Sequence, residues 1–192
     1  LLLQKKQRFP NIFGKENLLE DFRQLIFLYQ QDDSIRLSLQ GEKKIGKSLL
    51  LQRLGKELEA QGISPCKIDQ LSPEMQNCVL ILDDFHLLQP ELVHRLQEQL
   101  HTIASHGGKI FLITAAENQQ RAIQSNFFSV VKEWVIPKLS NKETEELVRE
   151  QKIIGPAAII LTKRLHEQYQ GNTGLILDSL TLLKKQNLNT YK

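Results

Sequence analysis

Residues 35–40, "IRLSLQ", alternate apolar and polar side chains and run straight into "GEKKIGKS" at 41–48. Alternation with a period of two marks a β-strand. Leu49, Leu50, Leu51, Leu54 and Leu58 then recur at helical spacing. A strand, a glycine-containing loop and a helix in that order leave few folds open. The loop fits G-x-x-x-x-G-K-S/T, with Gly41, Gly46, Lys47 and Ser48 in the fixed places. Those residue types suit phosphate. Glycines let the backbone curl so that successive N–H groups converge on an anion, and a helix beginning at Lys47 aims its N-terminal dipole at the same point. Lys47 is expected to reach the β- and γ-phosphates, and the Ser48 hydroxyl to ligate Mg²⁺. The expected cradle is Gly41, Glu42, Lys43, Lys44, Ile45, Gly46, Lys47, Ser48 and Leu49.

A second signal is independent of the first. "VLILDD" at 79–84 is a run of four apolar residues closed by two acids, the pattern of a strand covered on both faces. Asp83 at its end is placed to hold Mg²⁺ through water, as the Walker B aspartate does. "KIFLIT" at 109–114 and "EWVIP" at 133–137 read as further strands, and a weaker one is expected at 63–68. Between and around them, helical periodicity covers Glu16 to Tyr29, the segment after Lys47, the segment opened by Pro90, and a stretch around 118–124. Ser72-Pro73-Glu74 has the form of a short helix start.

After Pro137 only helices are expected. Ser140 and Glu143 form a capping box, Gly155-Pro156 separates two helices, and Gly171 precedes the last. The resulting expectation is an α/β fold with a mainly parallel five-stranded sheet, followed by a small helical lid. Its boundaries are an irregular lead-in over 1–15, a core over 16–138 and the lid over 139–192.

Hydrophobic residues at 41% and charged residues at 24% in 192 residues are enough for one sizeable core. The net charge of +3 permits contact with nucleic acid but does not argue for it. No apolar run approaches the roughly 20 residues of a membrane-spanning helix. Cys66 and Cys78 read as reduced thiols, which fits the cytoplasm. Leu1 in place of an initiating methionine fits a piece of a longer chain. The five histidines lack the i, i+4 spacing of a zinc site, and Trp134 and Phe127-Phe128 read as core.

Guanine-specific sites read the base with N/T-K-x-D. The nearest match, "NKET" at 141–144, has Thr144 in place of the aspartate. ATP is therefore expected over GTP.

With both motifs in hand, the chain resembles the AAA+ initiator-like and STAND (signal-transduction) ATPases over roughly residues 11–185. "IFGKENLLEDF" is similar to their opening F-x-G-R-E-x-E-L segment, and "GEKKIGKSLLL" to their "GERRIGKSSLL" form of the phosphate loop. "FLITAA" resembles their sensor-1 strand, which implies that Thr114 senses the γ-phosphate. "YQGNTGLI" sits where these families carry G-N-P or G-D-x-R. Lys15 stands where arginine is common, and three positions around the nucleotide depart from the pattern. Asp84 stands where many hydrolysing members have glutamate, Thr173 where STAND proteins have a base-contacting proline, and Gly174 where AAA+ proteins have the sensor-2 arginine. No arginine finger is evident, a lone arginine such as Arg121 being more often a solvated charge, and Asn118 lies just past the sensor-like strand.

The resemblance implies an ATP- and Mg²⁺-dependent switch with slow hydrolysis that meets a protein partner or further copies of itself. Lys47, Asp84 and Thr114 are its expected catalytic residues, and Ser48 and Asp83 its metal ligands. A DNA-acting initiator- or transposition-like ATPase and a non-hydrolysing nucleotide-bound adaptor are the alternatives. The basic residues Lys5, Lys6, Arg8, Lys184 and Lys185 are the only sequence support for DNA.

Overall fold

In the computed structural model the described residues are 16–117, 123 and 126–189. The expectations for 1–15, for a helix around 118–124, and for Asn118 and Arg121 fall outside them.

The alternating stretch forms β1 (Ile35–Gln40), and the leucines after the glycine loop form α2 (Lys47–Ala60). Ahead of them, α1 (Glu16–Gln30) buries Phe22, Leu25, Ile26 and Tyr29. β2 (Asn77–Leu82), α3 (Pro90–Ser105), β3 (Lys109–Ala116) and β4 (Val130–Val135) complete the α/β part. All three strand pairings are parallel, in the order β2-β3-β1-β4. β3 lies inside the sheet and is buried from Ile110 to Ala116, which is why its sequence reads as an unbroken apolar run.

Alternate residues along each strand feed two cores. Leu37, Leu39, Phe111 and Ile113 pack with α1 and α2, where the Phe22 and Phe111 rings sit 5.6 Å apart. Leu80, Ile110 and Leu112 face the other way, onto Leu96, Leu100 and Ile103 of α3. Trp134 and Phe128 are both buried, one in each core.

The sheet has four strands among the described residues, not five. The weak strand expected at 63–68 is reduced to one bridge, Cys66 to Leu80, with Cys66 N–H donating to Val79 O at 2.8 Å. Pro65 has no N–H to extend this pairing, and the chain turns off into a single 3-10 turn at Ile68–Gln70. Ser72-Pro73-Glu74 makes a turn, closed by Met75 N–H to Ser72 O at 3.1 Å, and no helix.

After β4 the chain is helical: α4 (Asn141–Glu150), α5 (Pro156–Tyr169) and α6 (Thr173–Asn189). The capping box at α4 is formed. Ser140 Oγ accepts Glu143 N–H at 3.3 Å, and Glu143 Oε2 accepts Ser140 N–H at 2.6 Å. Leu147, Val148, Ala158, Leu165, Ile176 and Leu180 give these helices a core of their own. Among the described residues no helix is long and apolar enough to cross a membrane.

Candidate functional site

β1 ends at Gln40, and Gly41 follows where there is no room for a side chain. A Cβ would come within 2.8 Å of Ile45 Cγ2 and 3.3 Å of Ile136 Cβ. The chain then turns back on itself through two left-handed residues, Lys44 (φ 62) and Gly46 (φ 101), before α2 begins. Ile45 is buried beneath the loop as its apolar anchor. It can therefore meet a ligand only through its backbone.

The first bond of α2 runs from Leu50 N–H to Gly46 O at 3.0 Å. The amides of Lys47, Ser48 and Leu49 precede it, and such amides lack intrahelical partners. Lys47 is buried, and its ammonium donates to Gly41 O and Glu42 O, both at 2.9 Å. These two bonds hold the loop curled and leave one N–H of the ammonium.

Above the loop lies a cleft of about 520 Å³, walled by the loop, Asp84, His86, Glu117, Gly174 and Asp178. A smaller hollow of about 460 Å³ adjoins it on the α2 side. Ser48 borders both. The two aspartates after β2 separate here. Asp84 adopts a left-handed conformation (φ 46), one that aspartate tolerates better than most residues. Asp83 borders the α2-side hollow together with Ser48, while Asp84 borders the main cleft. Asp83 Oδ1 accepts the Asp84 N–H at 2.9 Å, which fixes the turn.

Thr114 is not brought to the cleft. It is 7% exposed, its Oγ1 faces Ser38 Oγ at 3.4 Å within the sheet, and it borders neither hollow. Its register explains this. Thr114 pairs with Ser38 and Leu82, short of the C-terminal ends of β1 and β3.

The residues that the motifs did not point to are His86, Glu117, Asp178 and, in a different role, Gly174. Gly174 N–H donates to Lys44 O at 2.8 Å, and Asn172 Nδ2 donates to Lys43 O at 3.0 Å. Lys44 pairs with Asp178 at 2.7 Å, and Lys138 pairs with Glu42 at 2.8 Å. The Lys138 ammonium holds the Glu42 carboxyl below its usual range. The first turn of α6 thus sits directly on the backbone of the phosphate loop. Any side chain at 174 would drive into the Lys44 carbonyl and lie 2.9 Å from Lys44 Cβ.

No protein-family model and no curated protein sequence matches the chain. Solved structures do. The replication initiator DnaA bound to AMPPCP and single-stranded DNA superposes with a TM-score of 0.59 at 18% identity, over 92% of this chain and 62% of that one. AMPPCP-bound DnaA from Aquifex aeolicus gives 0.59 at 19%, over 92% and 63%. The Thermotoga maritima RuvB Holliday junction branch migration motor gives 0.50 at 17%, over 89% and 70%. The chain shares its fold with these DnaA and RuvB structures. The chain spans less than two thirds of the DnaA structures.

The residues fit the phosphate and Mg²⁺ that the loop motif implies. Ser48 and Asp83 offer Mg²⁺ two oxygen donors on one hollow, the ligand type that ion prefers. His86 Nδ1 is buried without a hydrogen-bond partner, and His86 lines the main cleft. Among the described residues no three His, Cys, Asp or Glu side chains cluster as a separate metal site. His94 instead pairs with Glu98 at 3.3 Å on the surface of α3.

Away from the cleft, Cys66 and Cys78 are free thiols, and Cys66 Sγ donates to Val79 O at 3.3 Å. The neighbouring Cys78 thiol draws Cys66 down to about 7, while Cys78 is pushed up by Cys66 and by burial.

Proposed function

We propose that this chain is an ATP- and Mg²⁺-binding module of the AAA+/STAND type that works as a nucleotide-dependent switch with slow hydrolysis. The observation that carries this reading is the seat of α6 on Lys43 and Lys44 of the phosphate loop. A ligand that reorders the loop must move, or be opposed by, the helical part. Lys47 binds the β- and γ-phosphates, and the amides of Gly46 to Leu49 complete the cradle. Ser48 and Asp83 hold Mg²⁺, which neutralises phosphate charge when bound. Asp84 polarises water weakly, being one methylene shorter than the glutamate common at that position. Closure of the helical part around nucleotide presents a surface to a protein partner or to further copies of the chain.

Titration of ATP and GTP with Mg²⁺ into wild type and Lys47→Ala, followed by phosphate release, tests this. Wild type is expected to bind ATP in preference to GTP and release phosphate slowly. Removing the Lys47 ammonium takes away charge-assisted bonds worth about 1.5–3 kcal/mol, or roughly 10- to 150-fold in affinity. Failure of wild type to bind ATP defeats the reading. Binding with no release at all leaves the non-hydrolysing adaptor.

A DNA-acting ATPase is the second reading, favoured by the likeness to a DnaA structure that holds single-stranded DNA. DNA affinity that falls steeply with salt is its test. Of its basic candidates within the described residues, Lys184 already bonds Gln151 Oε1 at 2.7 Å.

A further inference from the structure

We infer that, beside the weak polarisation assigned to Asp84, Glu117 is the carboxylate that positions the attacking water and takes its proton when nucleotide is hydrolysed in this cleft. The inference rests on the nucleotide reading above. β3 pairs with β1 as far as Ala116 opposite Gln40, but with β2 only as far as Thr114 opposite Leu82. It therefore overshoots the strand that carries the aspartate pair by two residues. Glu117 leaves the sheet just where β1 becomes the phosphate loop. Thr114 lies three residues back inside the sheet, and Ala115 and Ala116 carry no polar atom. Glu117 is thus the first side chain at this end of β3 that brings a polar group to the cleft.

The charges of the cleft single it out further. Asp178 is already paired with Lys44. Among the described residues, the carboxylates of Asp84 and Glu117 have no hydrogen-bond or ion-pair partner. They share the cleft with Lys47, Ser48 and His86. Asp84 hangs on a left-handed turn by a short side chain. Glu117 comes from another element with one more methylene of reach.

In the step this assigns, the water oxygen forms a bond to the γ-phosphorus while Glu117 accepts its proton. The bond from the γ-phosphorus to the β–γ bridging oxygen breaks, and its electron pair leaves with ADP. The proton then passes from Glu117 to the inorganic phosphate.

The test uses the 192-residue chain and the variants Glu117→Gln, Glu117→Ala and Thr114→Val, with Asp21→Asn as an exposed-charge control. Two quantities are read: equilibrium ATP affinity with Mg²⁺ and with EDTA, and single-turnover phosphate release. Removing a carboxylate that faces the triphosphate is expected to tighten metal-free ATP binding about three- to tenfold. Losing the base is expected to slow release by about 10²-fold or more. Wild-type affinity in EDTA for Glu117→Gln, or wild-type release, overturns the assignment. So does a loss of release confined to Thr114→Val. Wild type that binds ATP but never releases phosphate overturns the role of Glu117 and leaves the nucleotide site standing. Wild type that binds no ATP defeats both.

Discussion

Alanine in place of Gly174 separates a helix that merely follows the phosphate loop from one that is seated on it. Gly174 lies in the first turn of α6. Judged by helix propensity alone, Gly→Ala stabilises by up to about 1 kcal/mol, and less near an end. The seat reverses the sign. The new Cβ would clash with the Lys44 carbonyl oxygen and lie 2.9 Å from Lys44 Cβ. Both neighbours belong to a loop held by Lys47, so the start of α6 must retreat by roughly an ångström to restore contact distance. That retreat breaks Gly174 N–H to Lys44 O and Asn172 Nδ2 to Lys43 O, at about 1 kcal/mol each. The Lys44–Asp178 pair is half exposed on both sides and adds no more than about 0.5 kcal/mol. The balance is a loss of about 1–2 kcal/mol.

Gly55 supplies the control within the same molecule. It lies inside α2, where a Cβ would meet Ile81 Cδ1 at 3.4 Å, an ordinary contact. Gly55→Ala is expected to stabilise by about 0.5–1 kcal/mol. Urea midpoints followed by circular dichroism give both differences. Hydrogen exchange at 43–46 and 172–176 locates the first, with faster exchange expected only in Gly174→Ala. A Gly174→Ala protein as stable as wild type, with unchanged exchange in those segments, would refute the seat.

Two further predictions concern other parts of the chain. Ser140→Ala removes the acceptor of the α4 capping box and is expected to cost about 1 kcal/mol, read as a lower urea midpoint. In the folded protein, Cys66, drawn down to about 7 by the Cys78 thiol, is expected to alkylate ever faster with iodoacetamide as pH rises from 6 to 8. Its rate should then level off, since the thiolate is already fully formed below the ordinary value of 9. The buried Cys78 should react only after unfolding. Peptide mass spectrometry distinguishes the two. Equal labelling of both, or a rate still climbing above pH 9, would contradict the described environment.

Much of this fold was legible because local signals and burial agreed. The alternation of "IRLSLQ" and the unbroken run of "KIFLIT" follow directly from a half-polar and a doubly covered strand. The box at Ser140 needed nothing beyond four consecutive residues. The fifth strand failed because a short apolar run beside Pro65 reads alike whether or not it pairs along its length. In the site, the phosphate loop was legible because its chemistry is contiguous in sequence. Glu117 was not, since its place depends on how far β3 overshoots β2, and register is a tertiary property. The assignment of Thr114 followed a resemblance in strand sequence, and the register leaves that hydroxyl inside the sheet.

Gly174 carries the larger lesson for mechanism. By resemblance it marks a missing arginine, a side chain that would reach from the helical part to the nucleotide. The packing shows why no side chain stands there: the space belongs to the Lys44 carbonyl. Coupling between α6 and a ligand on the loop must then pass through the loop backbone, by way of the Lys43 and Lys44 carbonyls and the Asp178 pair. Linkage makes that coupling reciprocal, and it can be no stronger than the contacts that carry it. Two net hydrogen bonds bound it near 2 kcal/mol, or roughly 30-fold in affinity. In the proposed switch the helical part therefore biases nucleotide binding through the loop backbone and through Asp178 at the edge of the cleft. Gly174→Ala, which releases the seat and leaves Lys47, Ser48 and Asp83 in place, should change ATP affinity by no more than that factor.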